Sequence, residues 1–496
     1  MKRKVPWLLL IFILGAGLRL VFIDSRSIQY DDAFSMLLAD RSLPEIVRGT
    51  AADTMPPLFY FLLHFWRRYF PGIAGSRLLS GLLSLFSIYL VYLISSKVSG
   101  DKRVGLAASF IMSISPLQVY HSQDVRMYAL VLVFELVYLY CFVLFDQIED
   151  WHHWWRHPAT IGMVLGGAGA LYSHNLAGFG LIIPNLYLLI QRKWKKLGQL
   201  IGLQIAILAL FAPWLVFLPG QLSKVQTAFW TPRPGLVEII QAITMFVATL
   251  PLPGIWLWIG ILLSLQVFVL LGWEIIRLWQ TERDQRAAMI WFSIILLAPP
   301  AVLFILSYLI RPVFVPRGFL ISSIGLYGLA GLVIAKRWHQ AGSKILIGLC
   351  LSAALISLPY QQTFREFPRS PFAEAAEYLR DSSSADMVIV NDNKLSHFPL
   401  LIYAPDLTMK FLADTPGSAN DTLAKNTQLA MGLISEESIQ AAADSTNKIR
   451  FVVFEKTVQE YQIAGQDHPV MTWLEANYAL EGRIQFGDLE IFTYVR

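Results

Sequence analysis

The sequence predicts an α-helical polytopic membrane protein that ends in a small α/β domain. Three observations carry this. The 496 residues are 55% hydrophobic and only 15% charged, against about a quarter charged in an average soluble domain, and the mean hydropathy is +0.52. Apolar runs of spanning length recur between short basic clusters. After Pro359 these runs stop, and residues 361–496 alternate strand-like and helix-like pieces.

A membrane helix needs about 20 mostly apolar residues. The stretches 5–23, 77–96, 104–120, 127–146, 159–173, 176–191, 198–218, 254–273, 287–309, 317–335 and 343–359 are candidates, about 11 transmembrane helices. An odd number of crossings puts the two termini on opposite sides. Lys97, Lys102 and Arg103, then Arg192, Lys193, Lys195 and Lys196, then Arg277, Arg283 and Arg286, then Lys336, Arg337 and Lys344 all fall on one side. Basic loops mark the cytoplasmic face. The basic start, Lys2 to Lys4, then reads as the cytoplasmic end of an uncleaved first span, because Gly15-Ala16-Gly17 runs on into Leu18-Arg19-Leu20 without a small-residue cleavage site. The chain divides into a transmembrane domain, 1–360, and an extracytoplasmic α/β domain, 361–496. The net charge of +5 resides in the cytoplasmic clusters and gives no nucleic-acid footprint. Cys141 and Cys350 lie in apolar runs and suggest neither a disulfide framework nor a metal cluster.

The outer side holds the first loop, 24–76, the connectors 121–126 and 172–175, the stretch 219–253 and the segment 311–317. In the first loop, residues 31–39 read as an amphipathic helix with Ala33, Phe34, Leu37 and Leu38 at helical spacing. Residues 56–69, apolar and closed by Arg67-Arg68, read as a helix lying at the interface, and so does 236–250. Past the spans, 372–380 looks helical, while 386–390, 450–454 and 489–494 look like buried strands. No Gly-rich phosphate loop follows those strands, so no nucleotide is assigned to them.

Asp31 and Asp32 are the sharpest local feature. Helix capping accounts for one aspartate ahead of a helical run. A second beside it repels the first, and if buried the pair needs a counter-charge or a proton. Asp53 reads either as a solvated loop carboxylate or as a third acid of a site. Arg126, in the run His121-Ser122-Gln123-Asp124-Val125-Arg126-Met127-Tyr128, reads either as an interfacial anchor or as a phosphate partner, since a planar guanidinium binds phosphate oxygens bidentately. Arg311 and Arg317, set beside Pro312 and Pro316, place two cations at the outer mouth. His174, in Tyr172-Ser173-His174-Asn175, reads as an interfacial hydrogen-bonding residue or a member of the same site.

In matching order along about residues 1–360, these motifs resemble the membrane glycosyltransferases that use polyprenyl-phosphate sugars. They are similar to glycosyltransferase family 39 of the GT-C superfamily, which includes protein O-mannosyltransferases and lipid A aminoarabinose transferases. The resemblance rests on Tyr30-Asp31-Asp32-Ala33-Phe34-Ser35, on Asp53-Thr54-Met55-Pro56-Pro57-Leu58-Phe59-Tyr60, on Ser115-Pro116 and Ser122 to Leu130, on Tyr172-Ser173-His174 and on Pro316-Arg317-Gly318-Phe319. Two departures stand out. The family's acidic pair is typically Asp-Glu and here is Asp-Asp, and its late Arg-Tyr is here Arg317-Gly318.

The resemblance implies a GT-C-like fold with interfacial helices in the first outer loop, in a bacterial-type plasma membrane. It implies transfer of a sugar, mannose being the family's type case, from a polyprenyl-phosphate donor to an acceptor hydroxyl of a protein, lipid or glycan. The site would work on the outer face and invert the anomeric centre. Asp31 would be the general base. Asp32 and Asp53 would orient the acceptor, and Asp31 with Asp32 are the candidate ligands for a divalent cation, Mg or Mn, which oxygen donors suit. Arg126 and Arg317 would hold the donor phosphate, with Tyr128 and His174 beside them. A transporter or flippase of lipid-linked saccharides is the alternative. It predicts charges near mid-span, where Glu135 is the main example.

Overall fold

The structure is a computed structural model, and it describes residues 6–149, 153–227, 231, 233–310, 312–383, 386–418, 420–443 and 446–496. The basic start of the chain and Arg311 therefore lie outside the described residues.

The chain opens with α1 (Trp7–Leu20), three short helices of the first loop, α2 (Tyr30–Ala39), α3 (Leu43–Ala52) and α4 (Leu58–Arg67), and the long α5 (Gly72–Ser99). Then come α6 (Lys102–Ile114), α7 (Pro116–Ser122) and α8 (Tyr128–Asp146). Among the described residues, six helices are long and apolar enough to cross a membrane: α5, α8, Trp194–Leu215, Ile255–Thr281, Arg283–Leu309 and Ala341–Thr363. The other expected spans are shorter or broken. The stretch 104–120 splits into α6 and α7 at Ser115, whose backbone is extended, because a proline ring at 116 disfavours helix in the residue before it and cannot donate to the turn behind. Residues 176–191 divide into a 3-10 turn and two short helices, the second with Pro184 in its first turn.

One helix sits at the centre. Every residue from Ile321 to Ile334 is buried, as an all-round apolar helix requires. Its small residues let neighbours come close: a Cβ on Gly325 would run into the Phe292 carbonyl oxygen, the kind of approach that holds helices together where no hydrophobic drive separates them from lipid. The basic loops gather at one end of the bundle. There Lys336 pairs with Asp101 at 3.4 Å and Arg337 with Glu274 at 2.6 Å.

At the other end stands the sheet unit. Its strands are β1 (Met387–Asn391), β2 (Met409–Phe411), β3 (Lys448–Phe454), β4 (Ala479–Phe486) and β5 (Leu489–Val495), in the order β2-β1-β3-β5-β4. β1 runs parallel to β2 and β3, while β5 is antiparallel to β3 and β4. β3 and β5 are buried almost throughout, which makes their near-continuous apolar runs readable. β2 is only three residues long and β4 is a mostly exposed edge, so neither gives that signal.

The sheet unit docks on the first loop. Helix Lys394–Tyr403 packs on α2, and helix Lys425–Met431 packs on α3. The Phe398 ring lies 5.3 Å from that of Tyr30, and the Thr427 hydroxyl donates to the Gly49 carbonyl at 3.1 Å. Phe398, Phe411, Leu423 and Met431 join the same apolar core as the membrane helices. The first loop thus lies between the helix bundle and the sheet unit.

Candidate functional site

α2 brings Asp31 and Asp32 into its first turn, where the helix dipole favours negative charge. Successive helical residues point about 100° apart, so the two carboxylates diverge. Asp31 keeps 27% of its side chain exposed. One of its oxygens accepts from Arg317 Nη1 at 3.3 Å, and the other lies 4.0 Å from Arg126 Nη2. Burial lifts its pKa, but the two guanidiniums outweigh that and hold the carboxyl below its ordinary value.

The two arginines come from distant elements. Arg317 sits in the 3-10 turn Pro316–Phe319 that leads into the central helix. Arg126 sits in the turn between α7 and α8, 7% exposed, and its Nη1 donates at 3.3 Å to both Ser35 Oγ on α2 and Tyr60 Oη on α4. The Tyr60 hydroxyl is pushed up to about 12 by burial, and Asp53 and Asp31 add to this against the pull of Arg126, so it stays protonated. The structure thus converges Asp31, Arg126 and Arg317 and adds two polar partners, Ser35 and Tyr60, whose part in the site no local pattern in the sequence marks.

Tyr128 and His174 complete this side. The Tyr128 ring is buried between His121, at 4.9 Å, and His174, at 6.3 Å. His174 ends the helix Pro158–Ser173, and its Nδ1 accepts from the Leu176 amide at 3.0 Å. The ring proton therefore rests on Nε2. Burial, with Arg126 and Arg317 nearby, pushes the imidazole down to about 3. His174 is neutral at ordinary pH and reads as a hydrogen-bond donor rather than a cation.

The structure turns Asp32 away from Asp31's partners and into the interior. Its side chain is fully buried. Oδ1 accepts from the Val125 amide at 2.8 Å, and Oδ2 lies 3.5 Å from Arg369 Nη1. Arg369 also donates to Asp124 Oδ1 at 2.6 Å, where Arg26 approaches at 2.9 Å, while His121 Nδ1 holds the other Asp124 oxygen at 2.9 Å. Asp32 is the inner anchor of the turn that carries Arg126. Asp53 follows the last residue of α3 and pairs with Lys224 at 2.9 Å on the seam between the first loop and helix Leu218–Thr227. Its charge also reaches Tyr60 and Arg126, the groups beside Asp31.

A divalent ion does not fit the acids expected to hold it. The oxygens of Asp31 face guanidiniums, those of Asp32 face an amide and Arg369, and among the described residues no group of three or more His, Cys, Asp or Glu side chains is placed to hold a metal.

Residues 54–217 match the family model described as dolichyl-phosphate-mannose-protein mannosyltransferase. That stretch contains Arg126, Tyr128 and His174, while Asp31, Asp32, Asp53 and Arg317 lie outside it. Among solved structures, ArnT from Cupriavidus metallidurans in the apo state is similar with a TM-score of 0.66 at 13% identity, over 98% of this chain and 97% of that one. The same protein bound to undecaprenyl phosphate gives 0.62 at 12% identity, over 98% of each chain. The apo oligosaccharyltransferase of Archaeoglobus fulgidus gives 0.54 at 11% identity, over 98% of this chain and 75% of that one. A protein of Aquifex aeolicus (strain VF5) is 28% identical over 113 residues, and the match spans 22% of that curated relative. The fold is the one that ArnT adopts. The resemblance to the mannosyltransferase family holds in the sequence over residues 54–217, and the resemblance to ArnT holds in the fold.

Proposed function

We propose that this protein transfers a sugar from a polyprenyl-phosphate-linked donor to an acceptor hydroxyl, with inversion, on the outer face of a bacterial-type plasma membrane. The first loop and the sheet unit would share that face, and the basic loops and the N-terminus would be cytoplasmic. The observation that carries the reading is one half-exposed carboxylate, Asp31, held between two guanidiniums from separate elements.

That arrangement suits in-line displacement at the anomeric carbon. Asp31 takes the proton of the acceptor hydroxyl, whose oxygen forms the new bond to C1. The bond from C1 to the phosphate oxygen breaks on the opposite face, and its electron pair leaves with the lipid phosphate. Arg126 and Arg317 receive that charge, as preorganised donors do best in a site sheltered from water. Tyr60, Tyr128 and neutral His174 supply polar contacts for the donor head. Asp53 and Lys224 steady the rim where the acceptor enters. No step is routed through a metal.

The bound donor would also tune the base. A carboxylate depressed by two arginines is ionised but weakly basic. A phosphate that shares those arginines relieves the depression, so Asp31 becomes a better proton acceptor when the donor is in place.

The test is single-turnover transfer in nanodiscs from a panel of preloaded polyprenyl-phosphate sugars, mannose and aminoarabinose included, to a mixture of envelope acceptors. Release of polyprenyl phosphate with a product of inverted configuration supports the reading. Movement of intact donor across the bilayer without cleavage sinks it in favour of a lipid-saccharide transporter.

A further inference from the structure

Arg369 lies past the last long apolar helix, in the linker that leads into the sheet unit. It is nevertheless 1% exposed. Its guanidinium reaches back between the first loop and the turn after α7. Nη1 donates to the Ser27 carbonyl at 2.8 Å and faces Asp32 Oδ2 at 3.5 Å, while Nη2 donates to Asp124 Oδ1 at 2.6 Å. Each of these acids is next to a working group in the chain. Asp32 follows Asp31, Asp124 stands two residues before Arg126, and the Val125 amide between them donates to Asp32.

We propose that Arg369 is a positioning residue: by clamping Asp32 to Asp124 it sets the distance between Asp31 and Arg126, so the C-terminal unit completes the active site rather than merely covering it. This rests on the roles given above to Asp31 and Arg126.

The charges around the clamp explain why an arginine is required there. Arg26 pairs with Asp124 and donates to the Tyr120 carbonyl, with its guanidinium over the Tyr120 ring. Arg77 donates to the carbonyls of Ile23, Arg26 and Ser27. His121 holds the far oxygen of Asp124. Among the described residues only Arg369 is within ion-pair distance of both carboxylates. Remove it, and Asp32 loses its one ion-pair partner among the described residues and keeps only the more distant charges of Arg77 and Arg26 beside a second buried carboxylate, an arrangement that drives the acids apart or forces a proton onto one of them. Either outcome frees the 123–127 turn. Lysine would reach one acid, because it lacks the planar fork that spans two.

The experiment uses the full-length protein in nanodiscs and two readouts. One is hydrogen exchange of the amides across 123–127. The other is affinity for undecaprenyl phosphate. Arg369→Ala is expected to speed exchange in that turn severalfold and to weaken undecaprenyl phosphate by about 10–100-fold, by analogy with the loss when the outer partner of a metal ligand is removed. Millimolar guanidinium should restore both, and Arg369→Lys should fall between Ala and wild type. The loss of affinity should deepen as pH falls, since an uncompensated buried Asp32 takes up a proton more readily. Arg380→Ala, which removes an exposed pair with Asp406, should move neither readout.

Unchanged exchange in both Arg369 variants overturns the proposal. Weakened binding with no change in exchange and no guanidinium rescue also overturns it. If Arg369→Ala does not fold, the lysine variant carries the same two readouts. If wild type and Arg126→Ala bind undecaprenyl phosphate equally, or neither binds it, the reading of the site fails instead, and exchange across 123–127 still decides the clamp.

Discussion

Asp31 keeps 27% of its side chain in contact with solvent and sits between two guanidiniums, whereas Asp32, one residue on, is sealed and takes its partners from a backbone amide and a linker arginine. The electrostatics diverge accordingly. Asp31 is held below the ordinary carboxylate range, because Arg126 and Arg317 overcome burial. Asp32 is pushed above it by burial, which Arg369 only partly offsets and Asp124 aggravates. Asp124 falls well below, because its hydrogen bond to His121 and the charge of Arg369 overcome burial. If the inner cluster holds a proton, it rests on Asp32. The helix has turned one acid toward chemistry and the other toward architecture, and that division can be broken experimentally.

The largest expected effect is on transfer. Asp31→Asn preserves shape and hydrogen bonding but removes the proton acceptor, so single-turnover transfer should fall by about 10²–10⁴-fold, with folding and undecaprenyl phosphate binding retained. Asp32→Asn should lose less, since its Oδ1 can still accept from Val125. Equal losses would erase the distinction between outer and inner acid.

Next comes stability. Asp124→Asn leaves Arg26 and Arg369 facing a neutral group in a sealed site, and breaking such a buried pair costs about 3–5 kcal/mol. Thermal or denaturant unfolding in nanodiscs measures it. The pH dependence follows by linkage. Asp124 has a depressed folded pKa, so its contribution is fully present above the unfolded value and is lost as pH falls through the folded one. Asp32 has a raised folded pKa, so its ionised form opposes folding, and stability from this group is lost as pH rises through that value. Asp124→Asn should therefore flatten the acid limb of the stability profile. An unchanged acid limb would show that the cluster does not titrate as described.

Much of this contrast was legible in the chain, but only on one side. The spacing of Ala33, Phe34, Leu37 and Leu38 marked α2, whereas the single span expected over 104–120 breaks at Ser115-Pro116. The apolar runs of β1, β3 and β5 marked the buried strands, while β2 and β4 were too short or too exposed to register. The order of Asp31, Arg126, His174 and Arg317 along the chain suggested a site, and the structure brings Asp31, Arg126 and Arg317 together. Which of two adjacent aspartates faces inward, however, is settled by Arg369, 337 residues further on. No local pattern carries that information, and an arginine between prolines in a linker looks like a solvated one. Lys224, which meets Asp53 across 171 residues, was invisible for the same reason.

Donor affinity should respond next. Arg126→Ala removes a guanidinium that is 7% exposed and tied to Ser35 and Tyr60. Losing a charged contact in so desolvated a place costs about 2–5 kcal/mol of binding. Titration with undecaprenyl phosphate measures this. A loss no larger than that of a surface arginine would move the phosphate away from Arg126.

The smallest effect is expected from exchanging one cation for another at the mouth. Arg317 is 37% exposed, and its Nη1 meets Asp31 at 3.3 Å. Arg317→Lys keeps the charge, and an exposed pair of this kind is worth about 0–1 kcal/mol once solvent screens it. Undecaprenyl phosphate affinity should therefore change by no more than severalfold. Arg126→Lys should cost more, because the lysine ammonium is a compact point charge that cannot satisfy Ser35, Tyr60 and a phosphate from one plane. The ratio of the two losses measures how strongly burial separates the arginines, just as it separates the two aspartates. Added salt provides an independent check, since it weakens exposed charge pairs more than buried ones. Raising ionic strength should shrink the Arg317→Lys effect toward nothing and leave most of the Arg126→Lys effect in place. Equal losses with equal salt dependence would mean that both arginines meet the phosphate in water, and that the shelter proposed for the departing charge is absent.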